Sequence, residues 1–278
     1  MKRDATGPNI SCGSADGLWH AADVSIGCTS NDAGSGLANA GDANFNLATL
    51  VAAGSETANA STNSREVCDV AGNCTTAAPI SGNRIDKKAP VVTIAAPTGG
   101  SYLLNQTVAV SYTCADSGSG IASCTGTTAS GGQLDTASVG SHTFTVNAVD
   151  SAGNAASPVT VNYTVNFGIL VLFDQTKAHK SGSAVPIKIR LVDANGVNLS
   201  GAGTVLDAVS VMQVSSQANT TLDDAGSSNP DFDFRYDASV GGYIFNLKTT
   251  GFGTGTYRLS FVAGGTGTQY NVDFQVRQ

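Results

Sequence analysis

Cys68-Asp69-Val70-Ala71-Gly72-Asn73 and Val149-Asp150-Ser151-Ala152-Gly153-Asn154 are one phrase written twice, 81 residues apart. An Asp, a Gly and an Asn spaced this way between alternating apolar runs form a tight turn, because Gly accepts positive φ and Asp and Asn bond to nearby backbone. Working outward, Val24-Ser25-Ile26-Gly27-Cys28 followed by Gly34-Ser35-Gly36-Leu37 matches Val110-Ser111-Tyr112-Thr113-Cys114 followed by Gly118-Ser119-Gly120-Ile121. Further out, Asp4 and Pro8 match Asp86 and Pro90. Offsets of 81 to 86 define a unit of about 80 residues that occurs twice.

Within that unit the apolar residues alternate, as at Val108, Val110, Tyr112 and Cys114 and again at Phe144, Val146 and Ala148. Period 2 means strands with one buried face, and turn signals every 8 to 12 residues are the spacing of a sandwich. From residue 167 the text changes but the period does not. Val185, Ile187, Ile189 and Leu191 precede an Asp193-Ala194-Asn195-Gly196 turn, and Tyr243, Phe245 and Leu247, then Tyr257, Leu259 and Phe261, then Tyr270, Val272, Phe274 and Val276 follow. Gly255-Thr256-Tyr257-Arg258-Leu259 aligns with Gly140-Ser141-His142-Thr143-Phe144, so Tyr257 and His142 hold equivalent places. The expectation is an all-β chain of three tandem antiparallel β-sandwiches, residues 1–88, 89–166 and 167–278, with Asp86-Lys87-Lys88-Ala89-Pro90 as a first linker too short to swivel freely.

Composition supports this and narrows the function. Only 13% of the 278 residues are charged, against about 25% in ordinary domains. Of 21 acidic residues only Glu56 and Glu66 are Glu, and Gly numbers 33, which favours strands and turns over helices. A net charge of −7 without a basic cluster speaks against nucleic acid or an anionic membrane as partner. The longest apolar run, Phe167 to Phe173, is too short to span a bilayer and reads as a buried strand, so no membrane insertion is expected.

The cysteines Cys12, Cys28, Cys68, Cys74, Cys114 and Cys124 all fall in the first 124 residues. Their spacing contains no Cys-x-x-Cys and no His completes a zinc set, so structural disulfides are expected, and with them an oxidising compartment. Fifteen pairings are open. Cys68 and Cys74 are replaced together, by Val149 and Ala155, in the second unit, which favours their pairing and leaves Cys12 with Cys28 and Cys114 with Cys124. Aromatic residues rise from 2 to 4 to 12 across the three units while Cys falls from 4 to 2 to 0. Cross-links are expected to substitute for core in the first two units. Residues 1 to 25 carry no secretory signal pattern, so the reading is of the C-terminal part of a longer exported protein with further domains upstream.

These phrases resemble bacterial immunoglobulin-like repeats of the hyalin type over most of residues 4 to 165. The last unit is similar to the bacterial PxKF domain, carrying Val185-Pro186-Ile187-Lys188-Ile189 with Ile189 where the motif usually has Phe. The resemblance implies Ig-like sandwiches and an extracellular or cell-surface setting, and no shared reaction.

Candidate chemistry is sparse. His20, His142 and His179 fall one per unit, and no metalloprotease or nucleophile-elbow motif occurs, so no enzyme, catalytic residue or cofactor is expected. Gly251-Phe252-Gly253-Thr254-Gly255 lies between two strand patterns and reads as a β connection, not a phosphate loop. Asp116 with Asp150, and Asp32 with Asp69, could converge on Ca²⁺, but Asx-turns explain Asp at such places and no metal site is assigned. Asp223, Asp224, Asp231, Asp233 and Asp237 read as a solvated acidic loop. Phe232, Phe234 and Tyr236 share one strand face, expected to point into the core, with sugar stacking as the rival use. Trp19 reads as a core-edge residue, and the seven glycosylation sequons, including Asn105 and Asn219, carry little weight where about four are expected by chance. The expected function is a non-catalytic stalk, spacer or adhesion module with a protein or glycan surface partner. The alternative is a carbohydrate-binding accessory module of a secreted hydrolase.

Overall fold

The computed structural model describes residues 3–223, 225, 232–265 and 267–278. Strands and turns make up the described chain, with one short 3₁₀ turn at Ala40–Ala43. The first repeat supplies β1 (Asn9–Cys12), β2 (Trp19–His20), β3 (Ser25–Asn31), β4 (Asn44–Ala48), β5 (Glu56–Ala60), β6 (Arg65–Cys68), β7 (Cys74–Ala77) and β8 (Asn83–Asp86). The second supplies β9 (Val91–Ala96), β10 (Gly100–Leu103), β11 (Ser111–Ala115), β12 (Ile121–Gly126), β13 (Gly140–Asp150) and β14 (Val159–Asn166). The last region supplies β15 (Gly168–Val171), β16 (Ala178–Lys180), β17 (Ala184–Val192), β18 (Leu206–Gln213), β19 (Ala218–Thr220), β20 (Arg235–Asp237), β21 (Gly242–Lys248), β22 (Gly255–Ala263) and β23 (Gln269–Arg277).

One layout recurs three times. The opening strand pairs antiparallel in one sheet, breaks, and continues in the other sheet beside the last strand: β1 with β3 then β2 with β8, β9 with β11 then β10 with β14, β15 with β17 then β16 with β23. The second pairing is parallel each time, a departure from purely antiparallel sandwiches. A strand that changes sheets without reversing direction meets the final strand in the same sense. In the second repeat the break falls at Gly99 and Gly100, with φ of 77° and 98°, values that favour glycine.

The described residues form two compact units. One comprises Met1–Ala96, Val110–Gly132 and Thr145–Thr160, the other Pro97–Ala109, Gln133–Phe144 and Val161–Gln278, and strands β13 and β14 contribute to both. In the first unit, Phe45, Leu47, Val67, Ala77 and Cys28 make a small buried cluster edged by Ile10, Cys12, Leu37 and Ile80. Disulfides join Cys12 to Cys28 across β1 and β3, Cys68 to Cys74 across the β6–β7 hairpin, and Cys114 to Cys124 between β11 and β12. Core and cross-link trade places along the chain. In the second unit 20 buried residues form one cluster, with Val185, Ile187, Ile189 and Leu191 of β17 facing Phe261 and Phe274, all at 0% exposure. Trp19 is half-buried on the short strand β2.

The alignment of His142 with Tyr257 extends to their bonding. Tyr257 Oη donates to the carbonyl of Gly253, four residues earlier, at 3.2 Å, and its ring stacks on Phe274 of β23. His142 Nε2 lies 2.8 Å from the carbonyl of Ser138, also four residues earlier, and its ring stacks on Tyr163 of β14. A carbonyl only accepts, so Nε2 carries the proton. His142 thus takes the part that a corner tyrosine plays in immunoglobulin-like sandwiches. His142→Phe keeps the stack and loses the bond, and is expected to cost about 1 kcal/mol in denaturant unfolding. An unchanged midpoint would remove His142 from this role.

The shared face expected for Phe232, Phe234 and Tyr236 is only partly formed. Phe234 is in the core and Tyr236 packs at its edge, but Phe232 is 44% exposed with φ of 65°. Strand β20 begins only at Arg235, so no pleat aligns Phe232 with the other two. Asp224 and Asp231 of the acidic segment lie outside the described residues.

Candidate functional site: two aspartate clasps

Each of the first two repeats holds its own entry segment by the same hydrogen bonds. In the first, Asp4 Oδ2 accepts the Ser35 N–H at 2.7 Å, and Asp32 Oδ1 accepts the Gly36 N–H at 2.8 Å. Ser35 Oγ accepts the Ala71 N–H at 3.1 Å, and Asp69 accepts both the N–H and the side-chain amide of Asn73 at 2.7 Å. In the second, Asp86 Oδ2 accepts the Ser119 N–H at 2.7 Å and Asp116 Oδ2 the Gly120 N–H at 2.8 Å. Ser119 Oγ accepts the Ala152 N–H at 3.1 Å, and Asp150 accepts the Asn154 N–H and side-chain amide at 2.7 Å. Asn154 also donates to the Asp86 carbonyl, closing the ring. The repeated phrases of the sequence are therefore one clasp, made twice.

Glycine is required at its centre. A Cβ on Gly118 would come within 2.6 Å of Asp86 Oδ2, and one on Gly34 would collide with the Asp4 carboxylate. Of the Asp residues singled out from sequence, Asp32 and Asp69 meet at the first clasp, where Asp4 joins them, their carboxylates within 4.8 Å of one another. Asp116 is grouped with Asp86 and Glu56 at the second clasp, while Asp150 caps the following turn through Gly153 and Asn154. Sequence reasoning missed Asp4, Asp86 and Glu56 as site residues. The signal for the first two was present, since they aligned with each other at the repeat starts.

Electrostatics follow the hydrogen bonds. The Thr6 and Ser35 N–H groups hold the Asp4 carboxyl below its ordinary 3.8. Burial pushes Asp69 and Asp86 up, but donors from Asn73 and from Ser119 outweigh it, and both also titrate below 3.8. Folded carboxylates that keep their charge to lower pH than unfolded ones contribute stability that is complete above the unfolded value and lost as pH falls through the folded one. The melting temperature is therefore expected to be flat above about pH 5 and to fall below about pH 4. A midpoint indifferent to pH between 5 and 2 would contradict the clasp bonding.

The segment between the two repeats is tied on both sides. Lys87 Nζ donates to Asp23 Oδ2 at 2.6 Å and to the Val51 carbonyl at 2.8 Å, and its backbone bonds to Ser55 and Gly54. Asp86 reaches forward to Ser119. Glu56 Oε1 accepts from Ser117 Oγ, a short contact, and lies 3.5 Å from Lys88 Nζ. Elsewhere His20 is paired with Asp16 at 3.1 Å, and His179 sits on β16. The acidic group Glu66, Cys68 and Cys74 has both sulfurs committed to a disulfide.

No protein-family model matches the chain, and no curated protein matches it. Among solved structures it is similar to the fibronectin(III)-like modules of Clostridium thermocellum CbhA, at 15% identity and TM-score 0.25, covering 56% of this chain and 94% of that one. It is similar also to extracellular domains 3–5 of Drosophila OTK, at 9% identity and TM-score 0.31 over 99% and 97% of the two chains. A third likeness is to domains 4–9 of the surface layer protein SbsC, at 15% identity and TM-score 0.23, over 99% of this chain and 48% of that one.

Proposed function

We propose that this chain is a non-catalytic extracellular region of tandem immunoglobulin-like sandwiches, divided at residues 88 and 166, that serves as a stalk or spacer presenting a binding partner or a neighbouring domain. The observation that carries this reading is the tied segment Asp86 to Lys88, whose side chains are bonded to residues before it and after it. A flexible tether leaves such groups in water, whereas a spacer that fixes direction spends them on its own flanks. Three disulfides fit an oxidising compartment. The sugar-binding alternative draws no support from Phe234 and Tyr236, which pack in and at the edge of the core.

The test is a distance distribution between spin labels at Leu50 and Val159, both exposed, attached without cysteine chemistry. One narrow distance that broadens in Lys87→Ala supports a fixed spacer. A broad distribution in the parent chain overturns it. Retention of the whole chain on insoluble polysaccharide would move the reading to the carbohydrate-binding alternative.

A further inference from the structure

The five-residue turn at 69–73 and 150–154 occurs a third time, at 193–197. In each, the opening Asp donates its N–H to the carbonyl of the fifth residue and accepts that residue's N–H on its side chain. The glycine at the fourth place donates back to the Asp carbonyl. Those glycines, Gly72, Gly153 and Gly196, have φ of 89°, 101° and 76°. The third place is Ala71 in the first turn, Ala152 in the second and Asn195 in the third. Asn before Gly is ordinarily explained by hairpin turns that need positive φ at both residues. Asn195 is not among the described non-glycine residues with positive φ. Alanine satisfies this turn twice over, so the shape of the turn does not account for the asparagine.

Asn195-Gly196 is the one Asn-Gly pair in the sequence, and both residues are exposed. A Cβ added to Gly196 would meet nothing within 4 Å, so the space beside it is open. We propose that Asn195 is a modification site, where the side-chain amide is lost by spontaneous deamidation. The Gly196 N–H first leaves the Asp193 carbonyl, which it holds at 3.0 Å. The nitrogen then attacks Asn195 Cγ, and its proton passes through solvent water to the side-chain nitrogen. A C–N bond forms to Gly196, the bond from Cγ to the side-chain nitrogen breaks, and ammonia departs. Solvent water opens the resulting five-membered imide at either carbonyl, leaving aspartate or isoaspartate with no change of oxidation state. Both products add a negative charge two residues from the buried Asp193. Isoaspartate also inserts a methylene into the backbone, which moves the Gly196 and Val197 N–H groups out of register with Asp193. That turn holds the end of β10: Asp193 Oδ2 accepts the Asn105 side-chain amide at 3.0 Å, and the Ala194 N–H donates to the Leu104 carbonyl at 2.9 Å. The modification therefore loosens residues 104 and 105 from the turn. The assignment stands on the turn chemistry and does not depend on the spacer reading.

The experiment incubates the full, oxidised chain at neutral pH in water enriched in heavy oxygen and follows it by anion exchange and peptide mass spectrometry. Isoaspartate is identified by labelling with an isoaspartate methyltransferase. Conversion is expected at Asn195 ahead of every other asparagine, each converted chain gaining one negative charge and one heavy oxygen. Its rate should lie within about tenfold of that in the urea-denatured chain, as for an exposed turn that opens readily. Asn195→Ala places in this turn the residue that the other two already hold, and should keep the fold and remove the conversion. Hydrogen exchange at Ala194 should quicken in the converted chain and stay slow in Asn195→Ala. The proposal is overturned if Asn195 stays intact in the folded chain while it converts in the denatured one, or if another asparagine converts first. Exchange at Ala194 that is as slow after conversion as before would overturn the loosening and leave the modification site standing.

Discussion

Reduction of the disulfides under otherwise native conditions is expected to unfold the first repeat and to leave residues 167–278 folded. The first repeat has five buried residues in its main cluster, one of them Cys28 itself, whereas the last region has 20 among its described residues and no cysteine. Cys12 and Cys28 close a loop of sequence separation 16, which restricts the unfolded chain by about 3 kcal/mol, and Cys68–Cys74 adds a smaller amount. A domain of this size has roughly 5 kcal/mol to lose, so removing both bonds spends most of it. Hydrogen exchange read by mass spectrometry, with and without reductant, separates the regions. Protection should vanish at Phe45 to Leu47 and persist at Val185 to Leu191. The double variant Cys12→Ser with Cys28→Ser should reproduce about half the loss. Equal protection of β4 in reduced and oxidised protein would mean that the small core suffices.

Asp150→Ala should destabilise the second repeat by about 3 kcal/mol, a large effect for a residue in a turn. Asp150 is 1% exposed and accepts from the Gly153 N–H, the Asn154 N–H and the Asn154 side-chain amide, each at 2.7 Å. Alanine leaves the Asn154 N–H and one hydrogen of its amide without that acceptor, and the Gly153 N–H with only its longer bond to the residue 150 carbonyl, at about 1 kcal/mol or more apiece. It also frees Asn154, whose amide holds the Asp86 carbonyl, so the loss should spread to the entry segment. Asp150→Asn keeps one acceptor oxygen and should cost about half as much. The comparison is made by denaturant unfolding followed at Cys114 to Cys124 through their susceptibility to reduction. If alanine and asparagine cost the same small amount, the turn is held by its backbone alone.

The sandwiches were legible because their signal is local. Alternation at Val185, Ile187, Ile189 and Leu191 needs no partner to be read, and all four are buried in β17. The clasp was half legible. The Gly-Ser-Gly and Asp-x-Ala-Gly-Asn phrases announced turns, but that Asp4 and Asp86 reach across about 30 residues to Ser35 and Ser119 is a property of the folded chain. Glu56 carried no mark at all. It joins the second clasp through Ser117 and Lys88, contacts that only packing reveals. Phe232 misled for the opposite reason: its alternation with Phe234 is real in the text, but β20 starts after it, and period 2 has meaning only inside a strand.

The parallel seating of the opening strand beside the last has a mechanical consequence. In β10 and β14, as in β16 and β23, the two strands leave the sandwich at opposite ends. Tension applied along the chain therefore drags them past each other in shear, so their hydrogen bonds bear the load together and must fail together. Strands arranged to be peeled apart would yield one bond at a time under far weaker pull. In the first repeat β2 lies inside the loop closed by Cys12–Cys28, so tension passes from Cys12 to Cys28 through the covalent bridge and the two-residue seam of Trp19 and His20 with β8 is spared the load.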